Sequence, residues 1–284
     1  MKSVSPRFRC SEPKLVLLSE PFQTQFDIRF SIFGFPVRVH PLFFVMPLVF
    51  GDCWIQSDTL SNTGLRYLIV AATFFLLLMI HELGHTFAFR YFGQPSSIVL
   101  YWMGGLAIPN QGSWNARRSR IDSPNSQIVI SGAGPVAGLA AGGLMVLLVY
   151  AIGGSVQWEF VGVFPLATVI APQQANSFDN PALMLFLEAG IYLSFFWNIL
   201  NLLPVWPLDG GQISRALFLK SRSQNGIQQS LMLSCGVAVL ITVWSIQRGG
   251  VGFTTIFFGL MAFESYNLLM SYSGRGPFGG GGWR

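Results

Sequence analysis

Charge is scarce in this sequence: Asp, Glu, Lys and Arg make up only 10% of its 284 residues, against about 25% in a soluble domain. That shortage excludes an ordinary soluble enzyme, a disordered chain and a coiled coil, all of which need more charge than this. Cysteine is nearly absent as well. Cys10, Cys53 and Cys235 are far apart and odd in number, so neither a disulfide framework nor a cysteine-based metal motif can be drawn. Lys and Arg outnumber Asp and Glu by 17 to 12, but they form no compact stripe interleaved with aromatics, which argues against nucleic acid as a partner. The N-terminus carries the basic residues of a signal peptide, yet its apolar stretch is short and interrupted by Glu12 and Glu20. It is expected to stay on the protein.

Apolar material is abundant. Hydrophobic residues reach 51% without counting 31 glycines, and phenylalanine alone supplies 26 positions. A spanning helix needs about 20 mostly apolar residues. Four segments meet that criterion, 67–89, 127–152, 181–203 and 251–271, and 229–247 is a shorter fifth. The weakest is 41–56, which Asp52 interrupts. The expected fold class is an all-α polytopic membrane protein with about six transmembrane helices and small membrane-associated β elements.

The placement of positive charge sets a direction for these spans, because short cytoplasmic loops are enriched in Lys and Arg. With six spans, fifteen of the seventeen fall on one side, leaving only Arg66 and Arg248 on the other. The N-terminus is therefore expected in the cytoplasm, and the loop 153–180, which has no Lys or Arg, outside. Two stretches read as extended chain at the cytoplasmic interface: 26–40 around a Gly34-Phe35-Pro36 turn, and 96–110 with a Gly104-Gly105 break. The domain expectation is a cytoplasmic N-terminal segment 1–39, a membrane domain 40–272 with a core at 67–215, and a flexible glycine-rich tail 273–284.

Chemistry concentrates at His81-Glu82-Leu83-Gly84-His85, inside the second expected span. Residues i and i+4 share a helix face, so both imidazoles can reach one metal, with Glu82 beside the first of them to act on water. The bland alternative is a polar patch for helix packing. Ionisable groups within a span are costly, however, and usually mark a site. A catalytic zinc takes three protein ligands and an open position, so a third must come from elsewhere. Asp209 is the best candidate. It follows Pro204 and Pro207, which end a span, and precedes Gly210 and Gly211, which permit unusual dihedrals. Irregular backbone at that depth is tolerated where it lines a cavity, although a simple helix-ending turn remains the competing reading. Asn198 and Asn201 share the helix face leading to Asp209 and could hold substrate or steady the ligands.

On these residues the chain resembles the site-2 protease family of intramembrane zinc metalloproteases. The resemblance rests on HELGH at 81–85, on the pattern formed by Asn201, Pro204, Leu208, Asp209 and Gly210, and on Gly134-Pro135. It implies one zinc per chain on His81, His85 and Asp209, with Glu82 as general base. It also implies that Met103–Pro109, with Gly104 and Gly105, is a membrane-associated sheet beside the site. The short form is most similar to the branch containing the sporulation-factor processing protease, which implies a bacterial inner membrane. One departure is Gly138, where relatives often carry Asn.

The function so implied is cleavage of transmembrane or membrane-proximal segments of membrane-protein substrates in regulated intramembrane proteolysis, and the expected partners are such a substrate, the lipid bilayer and a regulatory membrane partner. The alternative is a catalytically silent scaffold or adaptor of the same fold. The series Gly134, Gly138 and Gly142 reads as close helix packing. Glu188 and Glu264 belong either to a water or proton path or to structural hydrogen bonding. His40, before the first span, is expected in a loop contact rather than on the metal.

Overall fold

The structure, a computed structural model, describes residues 21–49, 62–110, 121, 123–161, 164–170, 180–221, 225–249 and 252–272. The expected segment 1–39 is thus described only from residue 21, and the tail 273–284 lies outside the described residues.

Among the described residues, six helices of twelve residues or more follow in chain order: α1 (Thr63–Tyr91), α2 (Pro124–Ala151), α3 (Pro181–Asn201), α4 (Asp209–Lys220), α5 (Gly226–Gly249) and α6 (Phe253–Tyr272). All except α4 are long and apolar enough to cross a membrane, which makes this an integral multi-pass membrane protein. Their boundaries follow local chemistry. Asn62, Ser123 and Asn180 accept N–H groups at the starts of α1, α2 and α3, and Pro124 and Pro181 occupy first-turn positions where no N–H is needed. Just past the end of α1, Gly93 turns the chain at φ +81°. Of the first expected span, 41–56, the described part is a 3₁₀ turn at Pro41–Val45 running into helix at 46–49, and residues 50–56 lie outside the described residues.

Six strands accompany the helices. β1 (Ile28–Ile32), β2 (Phe35–Val39), β3 (Ser96–Tyr101) and β4 (Gly104–Pro109) form one sheet in that order, antiparallel except for the parallel pair β2 and β3. Both expected extended stretches are thereby found. The first turn is Phe33-Gly34, with Pro36 already inside β2 opposite Ser31. It falls earlier than the sequence pattern suggested because Gly34 takes the left-handed conformation at φ +80°. β5 (Ser155–Val161) and β6 (Phe164–Ile170) pair as a hairpin where only a loop was expected.

The four-stranded sheet lies against α1 at the depth of its histidines. Val37, Val39, Ile98 and Leu100 pack with Phe74, Leu77 and Leu78 of α1 and with Trp197 of α3. Arg90, in the last turn of α1, pins the β1–β2 turn: it donates to the Phe33 carbonyl at 2.7 Å and stacks 3.7 Å from the Phe35 ring. At the entry to β1, Asp27 accepts from the Thr24 hydroxyl at 2.6 Å and from Arg38 at 3.1 Å. Helix α3 is the central element, with 56% of its most apolar window buried inside the protein, against 22% for α5. α5 and α6 pack together beside the loop leading to α4, through Ala238, Phe257, Phe258 and Met261 against Val205 and Leu208.

The polar segment 204–228 differs from expectation. Asp209 does not sit on irregular chain but opens the helix α4. Gly210 and Gly211 are helical and serve space rather than dihedral freedom. A Cβ at 210 would fall on the carbonyls of Leu202 and Leu203, and one at 211 would stand 2.5 Å from the Val205 carbonyl. This close approach folds the start of α4 back against the end of α3.

Candidate metal centre

His81 and His85 project from one face of α1, and Asp209 meets them from the start of α4. Asp209 Oδ2 lies 3.2 Å from His81 Nε2 and 3.4 Å from His85 Nε2. The two Nε2 atoms are 3.1 Å apart. Among the described residues these three form a group of potential ligands, all buried, with the donor atoms within 4.8 Å of one another.

Contacts behind the rings fix their direction. His85 Nδ1 is 2.7 Å from the Ile130 carbonyl, which can only accept, so Nδ1 carries the proton and donates. Asn198 donates its Nδ2 to the Ser194 carbonyl at 2.6 Å, which turns its Oδ1 toward His81 Nδ1 at 2.7 Å. Both neutral rings then offer an Nε2 lone pair to one point. Two such nitrogens and a carboxylate oxygen repel at these distances unless a cation sits among them. The donor set suits zinc in kind, and the orienting bonds are those expected behind metal-binding histidines.

Glu82 is only 3% exposed and lines the same cavity of about 260 Å³. Its carboxylate packs against Gly105, where a Cβ would collide with Oε1. Gly104, at φ +121°, faces Trp197, whose ring atoms would stand 2.8 Å from an added Cβ. The pair thus brings the β3–β4 turn close to Glu82 and α3. Gly134 gives room to the His85 ring, Gly138 to the Asn198 carboxamide and Gly142 to Ser194. Close packing explains that series, and the space at Gly138 is taken by the amide that orients His81.

Asn201 lines the cavity while donating to the Trp197 carbonyl at 2.9 Å. His40 stands apart, accepting from the Leu42 N–H through Nδ1 at 3.2 Å. Glu188 and Glu264 are not on the cavity wall. Tyr101 and Gln212 are among the lining residues that the sequence pattern did not single out. Tyr101 ends β3 beside the glycine turn, and Gln212 follows Asp209 by one helical turn. Gln212 accepts from Ser131 and donates to the Pro207 carbonyl, each at 3.3 Å, tying α4 to α2. The i, i+3 spacing from Asp209 was its available signal.

Fold and site together define an integral membrane protein with a buried group of three potential metal ligands. A profile of peptidase family M50 matches residues 69–243, more than half of the chain, and the protein belongs to that family. It is similar to the zinc metalloprotease MJ0392 of Methanocaldococcus jannaschii, at 25% identity over 196 residues, or 67% of this chain and 45% of that protein. The chain therefore spans less than half the length of this curated relative. The fold also matches the structure of a site-2 protease from Methanocaldococcus jannaschii, with a TM-score of 0.50 and 18% identity, covering 85% of this chain and 94% of the other. The expected relationship to site-2 proteases is borne out.

Proposed function

We propose that this protein is an intramembrane zinc metalloendopeptidase that cleaves transmembrane or membrane-proximal segments of membrane proteins. Residues 40–272 form its membrane domain, with a catalytic core at 67–215. The observation that carries the reading is the convergence of His81, His85 and Asp209 in the cavity that Glu82 lines, inside a bundle of apolar helices. A zinc ion bound by those three side chains would supply the Lewis acidity that polarises the scissile carbonyl and acidifies the attacking water.

The chain's own residues do the rest. Glu82 takes the proton of the attacking water and passes it to the leaving amine. Asn198 and the Ile130 carbonyl hold the two imidazoles in register through their Nδ1 protons. A helical substrate hides its carbonyls in its own hydrogen bonds, so it must be unwound to be cut. β4 is an edge strand of its sheet, and Gly105, Leu106 and Ala107 on it line the cavity. An unwound segment added to that edge runs past the site. The charge asymmetry of the loops supports a site toward the cytoplasmic face, and the resemblance to the sporulation-factor processing branch supports a bacterial inner membrane.

The test is Glu82→Gln. It is expected to lower cleavage of a membrane-protein substrate by about 10²–10⁴-fold, with bound zinc unchanged. Full cleavage by this variant would contradict the assigned role.

A further inference from the structure

Beside the metal cavity lies a smaller one of about 50 Å³, between the β3–β4 turn and α6. Trp102 and Met103 form one side, and Phe257, Leu260 and Met261 the other. Met103, Phe257 and Met261 also line the metal cavity, so the two spaces share a wall. Every residue around the smaller cavity is apolar or aromatic except Glu264.

Glu264 is placed unusually. Its Oε2 is sealed from solvent and has no hydrogen-bond partner among the described residues. Glu264 as a whole is half-buried, but a carboxyl oxygen sealed away without a partner is costly, and within a span such a group usually serves a ligand or a pathway. Its charge also reaches Tyr101 on the wall of the metal cavity. Burial pushes that phenol's pKa up, and the charges of Glu82 and Glu264 push it further.

Resting on the peptidase reading above, we propose that this side cavity is a substrate subsite that takes one lysine side chain, with Glu264 receiving its ammonium group. Size and chemistry both favour that occupant. One water needs about 10–15 Å³ of such space, so the cavity of about 50 Å³ admits roughly three to five heavy atoms, with lysine at the upper end. A lysine side chain has four methylenes to lie along the apolar walls and one ammonium to meet the carboxylate. Arginine, with more atoms and a planar head, overfills it. Lysine is also common at the cytoplasmic ends of spans, the side to which the loop charges assign this site.

The test has a binding arm and a cleavage arm. The purified full-length protein is treated with dicyclohexylcarbodiimide, which modifies carboxyl groups in apolar surroundings, with n-butylammonium as the lysine mimic and n-butanol as the uncharged control. Peptide mass spectrometry reads Glu264 as the sum of its N-acylurea and butylamide products, because butylamine can itself capture the activated carboxyl group, with Glu188 as an internal reference. Butylammonium is expected to protect Glu264 selectively, and butanol is not. In the cleavage arm, single-span reporters carry Lys or Met in turn at each position of the cytoplasmic half of the span. A Lys-over-Met preference is expected at one position, falling roughly tenfold in Glu264→Gln as a charged hydrogen bond is lost. Protection without cleavage of any reporter upholds the subsite and sinks the peptidase reading. A Glu264 that is unreactive, or labelled equally with and without butylammonium, overturns the subsite even where cleavage is robust.

Discussion

His85 keeps its place only while position 134 stays small, and Glu82 only while position 105 does. These two glycines separate metal binding from catalysis. In Gly134→Ala the new methyl falls on His85 Nε2, an overpacking worth on the order of 1–3 kcal/mol that the ring relieves by leaving its ligand direction. Zinc retained after dialysis is expected to drop. In Gly105→Ala the methyl falls on the Glu82 carboxylate instead. Zinc is then expected to stay, while cleavage falls by about 10²-fold from misplacement of the base. Equal metal loss in both variants would show that the site fails as a unit. At this scale the ligands were legible and their supports only in part: Asn198 and Gly105 could be named from the sequence, but not the atoms they meet. His81, Glu82 and His85 announce themselves by helical spacing, and Asp209 by its motif. The Ile130 carbonyl behind His85, the Asn198 amide behind His81 and the Gly105 contact depend on how α1, α2, α3 and the sheet pack, which no local pattern encodes.

Among the elements, the β1–β2 hairpin carries its own electrostatic clasp. The Thr24 hydroxyl and then Arg38 hold the Asp27 carboxyl at about 2, below its ordinary 3.8, with burial working against them. A carboxyl group with a lowered folded pKa contributes its stability above the unfolded value. That contribution is lost as pH falls from 3.8 through about 2. Amide exchange in Ile28–Ile32 is expected to rise across that window, after correction for intrinsic rates, and Asp27→Asn is expected to abolish the dependence. A flat profile in the parent protein would contradict the clasp. The long spans and both extended stretches of the sheet could be read from hydropathy and β-forming residues. Helix α4 could not, because Gly210 and Gly211 argue against a helix locally. The compensating signals, Asp209 in its first turn and Lys220 in its last, are weak beside a glycine pair. The β5–β6 hairpin was hidden for another reason: the lack of Lys and Arg in residues 153–180 marks a side of the membrane and says nothing of strand pairing.

For the molecule as a whole, fifteen of seventeen basic residues gather on one side of the expected spans. With the native cysteines replaced, Ser155→Cys is expected to react with an impermeant maleimide from outside intact cells, and Ser221→Cys only after the membrane is opened. Both positions are exposed. The reverse pattern would invert the topology and move the metal cavity toward the outer face.

The central claim is that helices distant in sequence assemble one three-ligand zinc site within the membrane domain. Its most direct test is the zinc content of the detergent-purified protein beside its Asp209→Ala variant, since this requires no substrate. About one zinc per chain, markedly reduced in the variant with the fold retained, is the predicted result. A well-folded protein that takes up no zinc when supplied with it, or a variant that holds zinc as tightly as the parent, would contradict the account.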